Sequence, residues 1–564
     1  MKRIIYRDWV YICLIIVLSL VALYAFSTSN RGFITAFDEG YFLLKLKEAY
    51  EANVITGKSQ WNLIVIHWFP FLDLTSKTNS YLAECLLRWF TIIILTITTC
   101  ILYKKDRVFR YLAIYILVCY GFAPDMGLSY VPMQASVLCW ALCAYLLFQK
   151  SEKRTLKYIL LVICGFCLCL SSFIVVTGAI AVTPLFIFMI IVNAKKDKSR
   201  IVFYLFSFFV GFALSLVYIN FIVCPLIDIY NAMTDTAKYI SKSGHGYDGL
   251  SFLRQYLGFF CRLLTIIFFL IGVYFVSSMF KNKIVSSAIF ILAAILFCIA
   301  TPVMGAFTKY MLLIGVVSVP LFFSNDVISL FKRMTLSENK MLYCFLFLFP
   351  ILAPFGTNVC IEGRLYNYIA SWLLIYFSYE YEHKFERYQV LVLPTLILLF
   401  ASLYGLIKLN WNYTDNYHFT KGNKNFSDVS ITSKQANYLY NLYEILEKYR
   451  YQPGKSVLFT TMYDYSTLYA IDAVNSTNFY HTENFHYFDK SKMISPDFVI
   501  LCPRDSAILS KELKSMPWGW PDKFDIYDIG NPEIEDDLTK WQPNILENRK
   551  LYCRRLSEKK NLFK

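Results

Sequence analysis

Apolar runs separated by short polar punctuation dominate the chain up to about residue 408. A helix needs roughly 20 apolar residues to cross about 30 Å of hydrocarbon. Runs of that order recur at 9–28, 87–103, 108–123, 131–149, 157–174, 177–193, 201–224, 255–280, 284–303, 309–331, 341–356, 366–380 and 389–408. The pattern predicts a mainly α fold, a polytopic transmembrane bundle of about thirteen spans. Beyond Asn410 the pattern changes and no span remains. Ser433 to Arg450 carries apolar residues at helical spacing, Ser456–Thr460 and Asp497–Leu501 read as buried strands, and Ser466 to Val474 reads as a helix between them. Residues 524–529 and 550–555 read as further strands. The chain thus divides into a membrane domain, 1–409, and a C-terminal α/β domain, 410–564, with β-α-β character. That domain lacks a Gly-rich phosphate loop, so no nucleotide site is assigned to it.

Charge orders the loops. One alternating set is basic: Lys104-Lys105-Asp106-Arg107, Lys150 to Lys157, Lys195 to Arg200, Lys281 with Lys283, Lys332-Arg333 with Lys340, and Lys384 with Arg387. With Lys2, Arg3 and Arg7 these mark the cytoplasmic side. The other set (29–86, 124–130, 225–254, 304–308 and 357–365) is poorer in cations and faces outward. An odd number of spans then leaves the α/β domain extracytoplasmic. The first apolar run, Trp9 to Phe26, is long enough to span, and Ala25-Phe26-Ser27 is a poor cleavage site. A retained anchor is therefore expected rather than a cleaved leader.

Composition agrees. The 564 residues are 57% hydrophobic with a mean hydropathy of +0.46, too apolar for a soluble protein of this size. The net charge of +15 comes largely from the inner loops, so no nucleic-acid partner is implied. Richness in Lys, Asn, Ile and Tyr fits a bacterial protein of the plasma (inner) membrane. Cys164, Cys167 and Cys169 have cluster-like spacing but sit in a wholly apolar run and read as small hydrophobes. Cys502 and Cys553 lie in the polar tail, and the sequence does not decide whether they pair.

The chemistry-bearing residues gather on the outer side. The first outer loop, 29–86, is too long to be a plain connector. It opens with Phe37-Asp38-Glu39-Gly40-Tyr41, followed over Tyr41 to Val54 by an amphipathic helix with Phe42, Leu43, Leu46, Ala49 and Tyr50 on one face. Such a helix is expected to lie along the bilayer surface and hold the acidic pair at headgroup depth. Asp and Glu also favour the first turn of any helix, which is the plain alternative for this pair. Trp61 and His67-Trp68-Phe69-Pro70-Phe71-Leu72-Asp73 follow. Outer-side cations are Arg88, Lys309 and Arg364, each of which would also suit a snorkelling flank. Asp125 sits in the second outer loop after Pro124, and His245 in the glycine-rich third.

An acidic pair just after the first span, a Tyr, an amphipathic helix and a His/Pro-containing apolar run together resemble the first outer loop of GT-C glycosyltransferases. These multispanning enzymes use polyprenyl-phosphate-linked sugars and include protein O-mannosyltransferases and lipid A aminoarabinose transferases. The resemblance covers the architecture of the whole chain, but its sharp motif covers only residues 37–72. The family's usual Lys/His-Pro-Pro-Leu run stands here as His67-Trp68-Phe69-Pro70-Phe71-Leu72, and the Trp-Trp-Asp signature of oligosaccharyltransferases is absent. The resemblance implies that Asp38, or Glu39 beside it, deprotonates or orients an acceptor hydroxyl. It implies a polyprenyl-phosphate sugar donor, a membrane lipid surface, and a glycan or protein acceptor. The anionic leaving group asks for cations, Lys309 and Arg364 first with Arg88 as a secondary contributor, and the resemblance implies that the acid of the second outer loop, Asp125, contacts a metal or the acceptor. Tyr41, His67 and His245 complete the candidate substrate-binding set. No cofactor is assigned, although a divalent metal would be compatible. A glycolipid or polysaccharide flippase, or a non-enzymatic membrane scaffold, is the alternative. The first calls for charged or broken helices at mid-membrane, and the second leaves the acidic pair without a task.

Overall fold

The structure is a computed structural model and describes residues 9, 11–20, 23, 38–52, 60–103, 107–120, 128–194, 200–231, 234, 249–280, 285, 289, 292, 338–354, 368, 373–375, 377–378, 417–461, 464–477, 493–531 and 547–559. The membrane domain contributes helices α1 (Tyr11–Leu20), α2 (Asp38–Ala52), α3 (Gln60–Trp68), α4 (Lys77–Leu102), α5 (Val108–Tyr120), α6 (Tyr130–Lys150), α7 (Arg154–Ile174), α8 (Val176–Asn193), α9 (Ile201–Tyr218), α10 (Gly249–Ser278) and α11 (Glu338–Leu352). Among the described residues five helical segments are long and apolar enough to cross a membrane: α4, α6, α7, α8, and α9 with its π-helical extension to Val223. The expected spans at 309–331 and 389–408 lie outside the described residues, as does most of 284–303.

Small residues let the helices approach closely, as membrane bundles require. Gly165 on α7 lies against the Phe208 carbonyl of α9, and Gly211 on α9 against the Val162 carbonyl of α7. Some hydroxyls inside the bundle are satisfied by their own helix, since no water is there to do it. Thr91 and Thr99 donate back to the carbonyls of Leu87 and Leu95 at 2.9 and 2.7 Å. Side chains also bridge helices, at mid-bundle where Trp140 of α6 donates to Thr91 Oγ1 at 3.0 Å, and nearer both ends. At one end Gln134 donates to the Val175 carbonyl and accepts from Tyr368. At the other, Tyr103 reaches the Leu374 carbonyl and Tyr343 meets Ser378.

The C-terminal domain has a two-stranded ribbon, β1 (Tyr417–His418) with β2 (Ser430–Ile431), and a five-stranded sheet of order β4-β3-β5-β7-β6. The sheet strands are β3 (Val457–Phe459), β4 (Val474–Asn475), β5 (Phe498–Leu501), β6 (Phe524–Gly530) and β7 (Arg549–Arg554). The first three run parallel, while β7 is antiparallel to β5 and β6. Helix α12 (Ser433–Lys448) begins with a capping box between Thr432 and Gln435. Helix α13 (Tyr465–Ile471) joins β3 to β4, α14 (Pro503–Lys514) follows β5, and α15 (Leu556–Lys559) ends the domain. Side chains alternate across the sheet. Leu458, Phe498, Ile500, Leu551 and Cys553 join the core that continues into the membrane domain. Phe459, Val499, Leu501 and Tyr552 pack with Leu509, Trp518 and Trp520 on the opposite face. Cys502 and Cys553 are separate buried free thiols.

Candidate active site

Asp38 and Glu39 are the first two residues of α2. At these two positions only the backbone is described. The first turn of a helix exposes unpaired N–H groups and a positive dipole end, so a carboxylate is favoured there. The helix is not laid out with one face to water, as its amphipathic pattern predicts. Six consecutive residues, Tyr41 through Leu46, are buried, Lys45 among them at 3% exposure. The cause is that α2 is covered on two sides. Toward the bundle, Phe42 meets Trp61 of α3 and Tyr130 of α6 edge-on, with centroids 5.7 and 5.9 Å apart. Toward the tail, it packs on α13.

That second contact is made of specific groups. Gly40 lies against the backbone of Ser466, where a Cβ would overlap the Ser466 Cα. Tyr41 packs on Tyr465 at 5.4 Å between centroids. Lys47 forms an ion pair with Asp472. A second docking point lies in the turn between α3 and α4. There Asp73 accepts from the Thr75 N–H at 3.0 Å, and Asn425 of the tail donates to Asp73 Oδ2 at 3.0 Å and Thr75 Oγ1 at 2.5 Å. Tyr469 donates to the Thr75 carbonyl. The tail therefore sits at the same end of the bundle as the first outer loop. Gly40→Ala should push α2 off α13 and destabilise by about 1–3 kcal/mol, the usual range for an extra methyl in a tight contact. Thermal unfolding of the detergent-purified chain checks this, and an unchanged midpoint would contradict so close an approach.

The other predicted site residues are distributed unevenly. Tyr41 is in the α2–α13 contact. His67 is exposed in the last turn of α3. Arg88 is engaged by the buried Glu84 of its own helix, with Nε at 2.9 Å and Nη2 at 2.5 Å from the same oxygen. Asp125, His245, Lys309 and Arg364 lie outside the described residues. Among the described residues no three His, Cys, Asp or Glu side chains converge as metal ligands would.

Several groups escape the sequence reading. Lys45 and Lys77 are buried cations at the end of the bundle that carries the tail, at 3% and 6% exposure. A lysine on a helix face or a loop edge ordinarily reads as solvated. Asn62 on α3 is fully buried, and neither amide atom has a hydrogen-bond partner among the described residues. In the tail, the fully buried Arg549 places Nε 3.2 and 3.1 Å from the two oxygens of Asp464. Thr461 donates to Asp505 at 2.6 Å alongside. Burial pushes the Asp464 carboxyl up, against the opposing pull of Arg549. Burial pushes Arg549 down, but Asp464, Tyr438 and Cys502 hold it above its ordinary value. These groups sit at the carboxyl ends of β3 and β5, whose connections leave in opposite directions, the usual crevice of an open α/β sheet. Here the crevice is closed by the ion pair.

No protein-family model matches the chain, and no curated protein does. Two solved structures are similar along most of their length. The crystal structure of ArnT from Cupriavidus metallidurans in the apo state shares 13% identity, with 96% of this chain and 98% of that chain covered at a TM-score of 0.46. The crystal structure of ArnT from Cupriavidus metallidurans bound to undecaprenyl phosphate shares 11%, with 97% and 98% covered at a TM-score of 0.43. Similarity of that degree leaves the functional reading to this chain's own residues.

Proposed function

We propose that this chain is an integral inner-membrane glycosyltransferase of the GT-C type, moving a sugar from a polyprenyl phosphate to an acceptor on the outer face. The observation that carries the reading is the setting of the acidic pair. Asp38 and Glu39 open a helix held between the end of an apolar bundle and a polar domain. A lipid-borne donor and a water-borne acceptor meet at such a junction. About thirteen spans, a cytoplasmic N-terminus and an extracytoplasmic tail complete the reading. The docking of Asn425, Tyr469 and Asp472 on residues 47–75 supports it, because the tail and the first outer loop then share a side.

In the proposed reaction Asp38 takes the proton of the acceptor hydroxyl, with Glu39 supporting it. The acceptor oxygen attacks the anomeric carbon from the face opposite the phosphate. The bond from that carbon to the phosphate oxygen breaks, its electron pair leaves with the polyprenyl phosphate, and the proton passes from Asp38 to water. One base and no covalent intermediate suffice, and the sugar is inverted. Lys309 and Arg364 hold the leaving phosphate, Arg88 is a secondary contributor, Asp125 is a secondary contributor on the acceptor side, and Tyr41, His67 and His245 lie at the edge of the site. The lipid that co-purifies with the protein tests the class. A polyprenyl phosphate or its sugar adduct is expected, together with release of free polyprenyl phosphate when an acceptor is supplied. Co-purification of ordinary phospholipid alone, with no polyprenyl-linked sugar consumed, would end the proposal.

A further inference from the structure

We infer that α13 of the C-terminal domain is the positioning element for the acidic pair, and that the Lys47–Asp472 ion pair is the residue-level device by which it acts. The inference rests on the transferase reading above. Gly40 is the second residue after Asp38, and its backbone touches Ser466 in the first turn of α13. Lys47 lies seven residues further on, two turns along and on the same face of α2. It pairs with Asp472 at the far end of α13. Two contacts two turns apart fix both the depth of α2 and its rotation. On the bundle side the Tyr50 hydroxyl at the other end of α2 donates to the Leu72 carbonyl at 3.1 Å, ten residues from Gly40 and farther from the acidic pair than either contact with α13.

The conformation of Asp472 points the same way. It caps α13 in the left-handed region, with φ 64° and ψ 42°. Glycine is the easy residue there, because a side chain is crowded. An aspartate is explained by what its carboxylate reaches on α2. The tail in turn holds α13 rigidly. Asn423 ties down the last turn of α13: its N–H donates to the Ala470 carbonyl at 2.9 Å and its side-chain amide to the Tyr469 carbonyl at 3.1 Å. Gly454 donates to the Asp472 carbonyl at 2.7 Å. The residue preceding the helix, Asp464, is gripped by Arg549. The chain from sheet to base thus runs from Arg549 to Asp464, along α13, and through Ser466 and Asp472 to α2.

The test uses the full-length protein in lipid nanodiscs, with Lys47→Asp, Asp472→Lys, the double charge swap, and Asp472→Gly. A misplaced reacting group typically loses about 10²-fold in rate. Each single variant should therefore lower kcat by about 10- to 100-fold with little change in KM for the donor, and the charge swap should restore most of it. Amide hydrogen exchange over 38–52 should quicken in the single variants and recover in the swap. In Asp472→Gly, exchange in β3 and β5 should stay slow, because glycine suits that backbone. A simple loss of tail structure would not give this split, nor be rescued by reversing the charges. Unchanged exchange over 38–52, or quickened exchange with full kcat, would overturn the inference. If Asp38→Asn is inactive while the single variants keep full activity, the positioning role fails and the transferase reading stands. If no polyprenyl-linked sugar is turned over by the wild type while exchange follows the ion pair, the transferase reading fails and the coupling of α13 to α2 stands.

Discussion

Asp38→Asn should lower turnover by about 10²–10⁴-fold, the range that a positioned general base supplies. Asparagine keeps the size of the side chain and much of its compatibility with a helix start, so α2 should still begin at residue 38. It cannot take a proton. Expression, tail docking and retention of the lipid donor should therefore survive while chemistry does not. Glu39→Gln should cost less, since its assigned part is support. Arg364→Ala should instead raise KM for the donor, because it removes a charge partner of the phosphate rather than a proton acceptor. Single-turnover rates and donor retention, measured side by side, separate these outcomes. Full activity of Asp38→Asn would leave the mechanism without its base, and a variant that neither binds donor nor docks its tail would show a structural role instead.

Much of the tail was readable because its elements are marked by buried apolar residues. The strand expected at 497–501 is Phe498–Leu501, that at 550–555 is Arg549–Arg554, and the helix expected at 433–450 is Ser433–Lys448. The four residues of β5 are all buried, which is why a continuous apolar run betrayed them. What escaped depends on tertiary contact. Val474 reads as the end of a helix but opens a two-residue strand, Val474–Asn475, created by pairing with Val457 and Leu458. Helix α4 starts at Lys77 rather than at 87, because its first ten residues are too polar to count as span. Lys77, Ser80 and Glu84 are nonetheless buried there. The acidic pair and its helix stood out by position and periodicity. The residues that clamp that helix did not, since Ser466 and Asp472 become special only where α13 meets Gly40 and Lys47. Arg549 was equally hidden: an arginine at a strand edge reads as solvated, and only the closed crevice shows otherwise.

Arg549→Met should destabilise the tail by about 3–5 kcal/mol, because it leaves the carboxylate of Asp464 buried without its partner. Asp464 is 1% exposed, and Asp505 nearby raises its carboxyl further, so little relieves the orphaned charge except protonation. The sign of the pH dependence follows. With Arg549 gone, the folded-state pKa of Asp464 lies above its unfolded value. The folded form then binds the extra proton, and the variant should regain stability as the pH falls through that folded value. The wild type, with the charge neutralised by Arg549, should gain less over the same window. Replacing both partners, Arg549→Met with Asp464→Leu, should recover most of the loss, as apolar substitutes for a buried pair commonly do. Asp464 makes no side-chain capping bond to α13, so its removal takes no cap from that helix although it releases the anchor to Arg549. Cys502 supplies the readout. Its thiol is 1% exposed and is pushed up to about 12 by burial, with Asp505 adding to the effect. In the folded tail it should resist a maleimide at neutral pH and react only when the domain opens. The single variant should raise Cys502 labelling by at least about 10²-fold, the opening expected from a loss of that size. Loss of the Arg549 charge by itself would make the thiol less reactive, so a faster rate can come only from opening. Labelling as slow in Arg549→Met as in the wild type would show that Arg549 does not hold the domain together, and labelling as fast in the double variant as in the single would show that the loss does not come from the orphaned carboxylate.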